Sequence, residues 1–150
     1  VAEPTCGGRG GSMDSFPFEL IRLTDRLNSV RVRVLNPLVR EPGCFDAEIL
    51  VESSFVTGRL WLYLSPSKLE SWGHALDELA AGRDVVWMDL DRGPSIGIRF
   101  VPEAEGQDIG VGDDSASLVT VTLPVHLPEG WVEEQRERLR RFTGGAGGSE

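Results

Sequence analysis

Residues 28–35 read NSVRVRVL, a strict alternation of valine with arginine. Side chains of a β-strand point to opposite faces in turn. Val30, Val32 and Val34 therefore share one face, and Arg31 and Arg33 the other. A helix would scatter the same valines around its axis. The chain must bury one face of a sheet and leave a charged face outside.

The same period recurs along the chain. FPFELIRL (16–23) is dense in strand formers, and the TDRLN turn joins it to 28–35 as a hairpin. Pro37, Pro42 and Gly43 break the pattern. FDAEILVESSF (45–55) places Phe45, Ala47, Ile49, Val51 and Phe55 on one face, with Asp46, Glu48 and Glu52 on the other. LWLYL (60–64) turns Leu60, Leu62 and Leu64 inward, which sends Trp61 and Tyr63 to the opposite face. DVVWMDL (84–90) and SIGIRFV (95–101) form a further hairpin, with Arg99 outward. SLVTVTLPVHL (117–127) alternates again, and its Pro124 requires an edge or a bulge. Residues 102–116 show no pattern and are expected to be an acidic loop.

Two stretches change period. From Ser65, a good N-cap followed by Pro66, residues Leu69, Trp72, Leu76 and Leu79 recur at spacings of three and four. Gly82 is placed to end that helix in the left-handed conformation. EGWVEEQRERLRRF (129–142) puts Trp131, Gln135, Leu139 and Phe142 along one side. Its acidic first turn and basic last turn suit the helix dipole, with Glu134–Arg138 and Glu137–Arg141 as i,i+4 pairs. The expected fold is α+β: a two-layer domain over 16–143, with a mostly antiparallel sheet of about seven strands and two helices on one face. Residues 1–15 and 144–150 are Gly-rich tails, expected to be flexible. Val1 and Met13 are both candidate start residues.

The 150 residues carry a net charge of −9. That balance disfavours a nucleic-acid binder, which must neutralise phosphates, and suits a basic protein partner. No apolar run reaches the 18 residues of a membrane span, and no leader pattern is present, so a cytoplasmic location is expected. Cys6 and Cys44 sit in no metal-binding or redox spacing and are expected to be free thiols, with a Cys6–Cys44 bridge as the alternative.

Motifs for chemistry are sparse. Neither His74 nor His126 has a nucleophile and carboxylate in sequence patterns that build a triad, and GxSxG is absent. The Asp89, Asp91, Gly93 fragment lacks the rest of a calcium loop. Asp108, Asp113 and Asp114 read as a solvated loop, with a loosely held divalent ion as the alternative, and GGRGG is no phosphate loop. No cofactor is indicated. Glu48 and Glu52 share a sheet face with Arg31 and Arg33, and Arg99 is expected to join them. Cross-strand ion pairs explain this set, and acid–base work by the paired carboxylates is the alternative. Trp61 and Tyr63 either form a minor second core or, rimmed by Arg and Glu, the centre of a binding surface.

The stretches IRLTD and NSVRVRVL, then 45–87, then VTVTLPVHLPEGWVEEQRERL, resemble an actinobacterial family of unknown function over most of residues 18–142. The layout is also similar to the WapI-type immunity proteins. The shared points are Phe45-Asp46-Ala47, the helix with Leu69, Trp72, Leu76, Leu79 and Gly82, and the late Trp131. This resemblance implies a cytoplasmic binding protein without catalysis. The expected function is a protein-binding module that occludes a basic effector, with Trp61, Tyr63, Arg31, Arg33, Glu48, Glu52 and Arg99 as candidate contacts. A small enzyme using Glu48 and Glu52, or a regulatory or structural subunit, are the alternatives.

Overall fold

The computed structural model describes residues 16–88 and 93–144. Cys6, Met13, the GGRGG stretch, Asp89, Asp91 and most of the two tails lie outside them. The class is α+β as expected, but the strands form two antiparallel four-stranded sheets and not one seven-stranded sheet. The first is a meander of β1 (Phe18–Thr24), β2 (Ser29–Pro37), β3 (Phe45–Glu52) and β4 (Thr57–Leu64). Helix α1 (Pro66–Ala80) follows. The second meander is β5 (Val85–Trp87), β6 (Pro94–Val101), β7 (Gly106–Asp113) and β8 (Thr120–Val125). Helix α2 (Trp131–Leu139) continues into a wider turn over 140–144.

The eighth strand, β7, is the stretch expected to be loop. It pairs with β6 through Ile98↔Ile109 and Ile96↔Val111, and both of its apolar residues are buried. Pro124 does sit in an outer strand, β8, as its missing N–H requires.

The alternating faces pack as the period demands. Val30, Val32, Val34, Ala47, Ile49, Val51, Leu62 and Leu64 are all buried, in one cluster with Ile96, Ile98, Ile109, Val111, Leu123 and Val125 of the second sheet. Each such Val, Leu or Ile side chain contributes about 1.5–3 kcal/mol on burial. A bulge between Glu19 and Ile21 lets both Leu20 and Ile21 point into this core. Phe55 departs from expectation. It lies in the β3–β4 turn, 92% exposed, where Ser53 Oγ accepts from the Phe55 and Val56 N–H groups and bends the chain out of the strand.

The sheets are tied at their turn ends by polar contacts. Asp25 accepts from Leu27 N, Asn28 N and His126 N, each at 2.8 Å. Asn28 Nδ2 donates to Pro124 O at 2.7 Å. Burial pushes the Asp25 carboxyl up, but those three main-chain N–H donors outweigh it and hold its pKa below the ordinary value.

Helix α1 begins at Ser65, whose hydroxyl accepts from Lys68 N, with Pro66 in the first turn. It ends before Gly82 at φ +85, as the sequence indicated. Its stripe of Leu69, Trp72, Leu76 and Leu79 is buried, and Trp72 packs on Trp87 with ring centroids 5.0 Å apart. Helix α2 lies along β1 and beside α1. Its residue Gln135 reaches Arg22, Arg138 reaches Glu19, and Phe142 stacks on Phe18. Glu134 pairs with Arg138 at 3.0 Å, whereas Glu137 takes Arg140 and not Arg141. Among the described residues no helix is long and apolar enough to cross a membrane.

Candidate binding surface

One face of the first sheet is core, so the other carries every side chain of opposite parity. Arg33, Glu48 and Trp61 stand in one cross-strand row of that outer face. Arg31 and Leu50 stand in the next row, with Arg59 beside them on β4. Tyr63 and Asp46 form the row on the other side.

Glu48 is the centre of this face and is only 7% exposed. Its two carboxylate oxygens each meet a guanidinium: Arg59 at 3.5 Å and Arg33 at 3.7 Å. Arg31 bridges Glu19 at 3.0 Å and Glu52 at 3.5 Å. Arg138 of α2 adds a bond to Glu19 O at 3.0 Å. Glu48 is screened by long side chains from both neighbouring strands, and its charge is compensated on both sides. Leaving it unpaired would be costly.

The two aromatics separate in character. Trp61 is 62% exposed, yet its indole is held because Nε1 donates to Asp46 Oδ1 at 3.1 Å. Tyr63 is half-buried and committed to structure. Its hydroxyl donates to Glu41 Oε1 at 2.6 Å and lies 3.2 Å from the sulfur of buried Cys44. The hydrogen bonds with Cys44 and Glu41 push its pKa above the ordinary phenol value. Lys68 lies over the Tyr63 ring, 5.3 Å from its centroid.

The structure therefore brings Arg31, Arg33, Glu48, Glu52, Trp61 and Tyr63 onto one face, with cross-strand ion pairing as expected. It does not bring Arg99. That residue is on β6 in the second sheet, bonded to Asp108 at 2.7 Å. The assumption of a single sheet had merged the two faces. Asp46 lies on this face, as its parity with Glu48 and Glu52 indicated, and two participants escaped sequence reasoning: Arg59 and Glu19. Arg59 was detectable by parity, two residues from Trp61. Glu19 was not, because the bulge after it shifts the register.

Both carboxylates that could serve in proton transfer, Glu48 and Glu52, are engaged by arginine. Among the described residues, no three His, Cys, Asp or Glu side chains are grouped to hold a metal ion. His74 and His126 are exposed.

Comparison with curated proteins and with solved structures returned no match. A family model matches residues 18–145, which is most of the chain and all of the elements described above. The protein belongs to the family of unknown function DUF5959.

Proposed function

We propose that this chain is a non-catalytic protein-binding module whose contact surface is the outer face of the β1–β4 sheet. The observation that carries this reading is Trp61. A large aromatic side chain stands 62% exposed on a sheet face and is oriented by its bond to Asp46. Rigid, partly exposed tryptophans ringed by charged pairs are the residues that dominate interface energies. Arg59 and Glu52 lie at the rim and are solvated, so they would set orientation more than affinity. Tyr63 supports the face from within, through Glu41 and Cys44.

Likeness to the WapI-type immunity proteins and the net charge of −9 favour a basic effector as the partner, occluded by binding. A cytoplasmic setting and an actinobacterial source belong to the same reading. The enzyme alternative finds less support, since Glu48 and Glu52 are both neutralised by arginine.

The test is affinity capture from native cell extract, comparing the wild type with Trp61→Ala. The reading expects a basic protein retained by the wild type and lost, tenfold or more, by the variant. Equal retention by both removes Trp61 from the contact.

A further inference from the structure

Gly58 stands where the first sheet would carry an inward side chain. It pairs with Val51 in the β3–β4 register and shares the inner parity of Leu60, Leu62 and Leu64. Glycine weakens a strand, and it is found there where the backbone must turn, where neighbours crowd, or where another molecule comes close. Gly58 does not turn the backbone: the positive-φ glycines among the described residues are Gly43, Gly82 and Gly130. It is not crowded either, since a Cβ built on it would meet no heavy atom beyond its chain neighbours within 4 Å. Neither conformation nor packing accounts for glycine at this position, and the space it leaves is open.

That space belongs to a cavity of about 160 Å³ between the two sheets. Ile49, Val51 and Leu60 wall it from the first sheet. Val111 and Val121, a cross-strand pair of the second sheet, wall it from the other side. Ile49, Val51 and Val111 are buried, whereas Gly58 is exposed, so the cavity runs from the core to solvent at the start of β4.

Two charged residues touch this cavity, Arg59 and Asp113, and both are engaged within the chain. Arg59 pairs with Glu48 at 3.5 Å. The Asp113 carboxylate accepts from Ser117 N at 2.9 Å, Ser117 Oγ at 2.8 Å and Ala116 N at 3.2 Å. A charged occupant would give up its water and find no free counter-charge. A peptide would bring main-chain amides that find no free partner either. The chemistry that fits is neutral and apolar, and the size is set by the walls: an apolar cavity of about 150 Å³ accepts a benzene ring.

We propose that the cavity beside Gly58 binds a small neutral apolar molecule, of the size of one aromatic ring or a branched alkyl group of similar bulk. The ligand enters past Gly58 and takes the place of the side chain missing there, against Val51 on one side and Val111 and Val121 on the other. Burial of its apolar surface supplies the affinity. The walls are inner faces of the two sheets, so the site does not depend on the contact proposed for the outer face around Trp61.

The probe is toluene, titrated into the full chain with isotope-labelled Val, Leu and Ile methyl groups and followed by NMR. The expected result is saturable shifts at the methyls of Val51, Val111 and Val121, and none at Leu76 on α1. Benzoate presents the same ring with a charge, and acetyl-phenylalanine amide presents it on a main chain. Each is expected to bind at least tenfold more weakly. Gly58→Leu fills the cavity and is expected to abolish toluene binding, with a melting temperature at or above that of the wild type. Should the leucine variant not fold, Gly58→Ala decides, with toluene binding expected to weaken about threefold at an unchanged melting temperature. No saturable shifts, shifts that extend to Leu76, or toluene binding unaffected by substitution at Gly58 would each overturn the proposal. Equal binding of benzoate would overturn the neutral ligand, and equal binding of the amide would give the cavity to a side chain of a partner protein instead.

Discussion

The side-chain amide of Gln135 and the main chain of Arg22 exchange two hydrogen bonds, Arg22 N to Oε1 at 2.9 Å and Nε2 to Arg22 O at 3.1 Å. Gln135 is fully buried, and it does for the edge of β1 what a neighbouring strand would do. Gln135→Leu preserves bulk but leaves both main-chain groups without a partner. We expect a loss of about 2–3 kcal/mol. A melting temperature lower by roughly 6–12 °C in calorimetry would register it. A change under 2 °C would mean water replaces the amide at no cost.

Glu48 holds two arginines from the strands on either side of it. Removing the carboxylate by Glu48→Ala strands two guanidinium groups, both of which retain access to solvent. The cost is therefore below that of a deep ion pair, about 1–2 kcal/mol. Urea unfolding checks this as a lower midpoint at unchanged slope.

Asp25 links the turn ends of the two sheets, and its pKa is held down by main-chain donors. A carboxylate with a depressed folded pKa contributes stability above its unfolded value, about 3.9. That contribution is lost as pH falls through the folded value. Asp25→Asn should cost about 1–2 kcal/mol at pH 7. The gap between wild type and variant should shrink as the pH drops below about 4. A gap independent of pH between 7 and 3 would show that the charge is irrelevant to the link.

Trp72 and Trp87 are comparably buried and pack together, but only the Trp87 indole N–H has a partner. Trp87→Phe should therefore destabilise by about 1 kcal/mol more than Trp72→Phe. Paired denaturation curves decide it, and equal losses would assign both costs to packing.

Much of this architecture was visible in the period of the sequence. Val30, Val32 and Val34 fixed a strand and its faces, and Leu69, Trp72, Leu76 and Leu79 fixed a helix, because burial imposes those spacings directly. Strand β7 was hidden by Gly106, Gly110 and Gly112, which dilute the alternation of Ile109 and Val111. In the fold these glycines lie directly beside β8: a Cβ on Gly110 would meet Thr122 Oγ1 at 3.6 Å, and one on Gly112 would meet Thr120 Oγ1 at 3.3 Å. The division into two sheets was illegible because β4 and β5 are separated by α1, and no local signal says whether they pair. On the candidate surface, parity sufficed to send Trp61 outward. The burial of Glu48 could not be read, since it arises from Arg33 and Arg59 on two different strands.

The central claim is that the outer face of β1–β4 is a protein contact. The most direct measurement places a photoreactive phenylalanine at position 61, and in a second variant at position 122 on the outer face of the second sheet, and irradiates each in native cell extract. The account predicts one discrete cross-linked protein from position 61 that is absent from position 122. No product from position 61, or the same products from both positions, would contradict it.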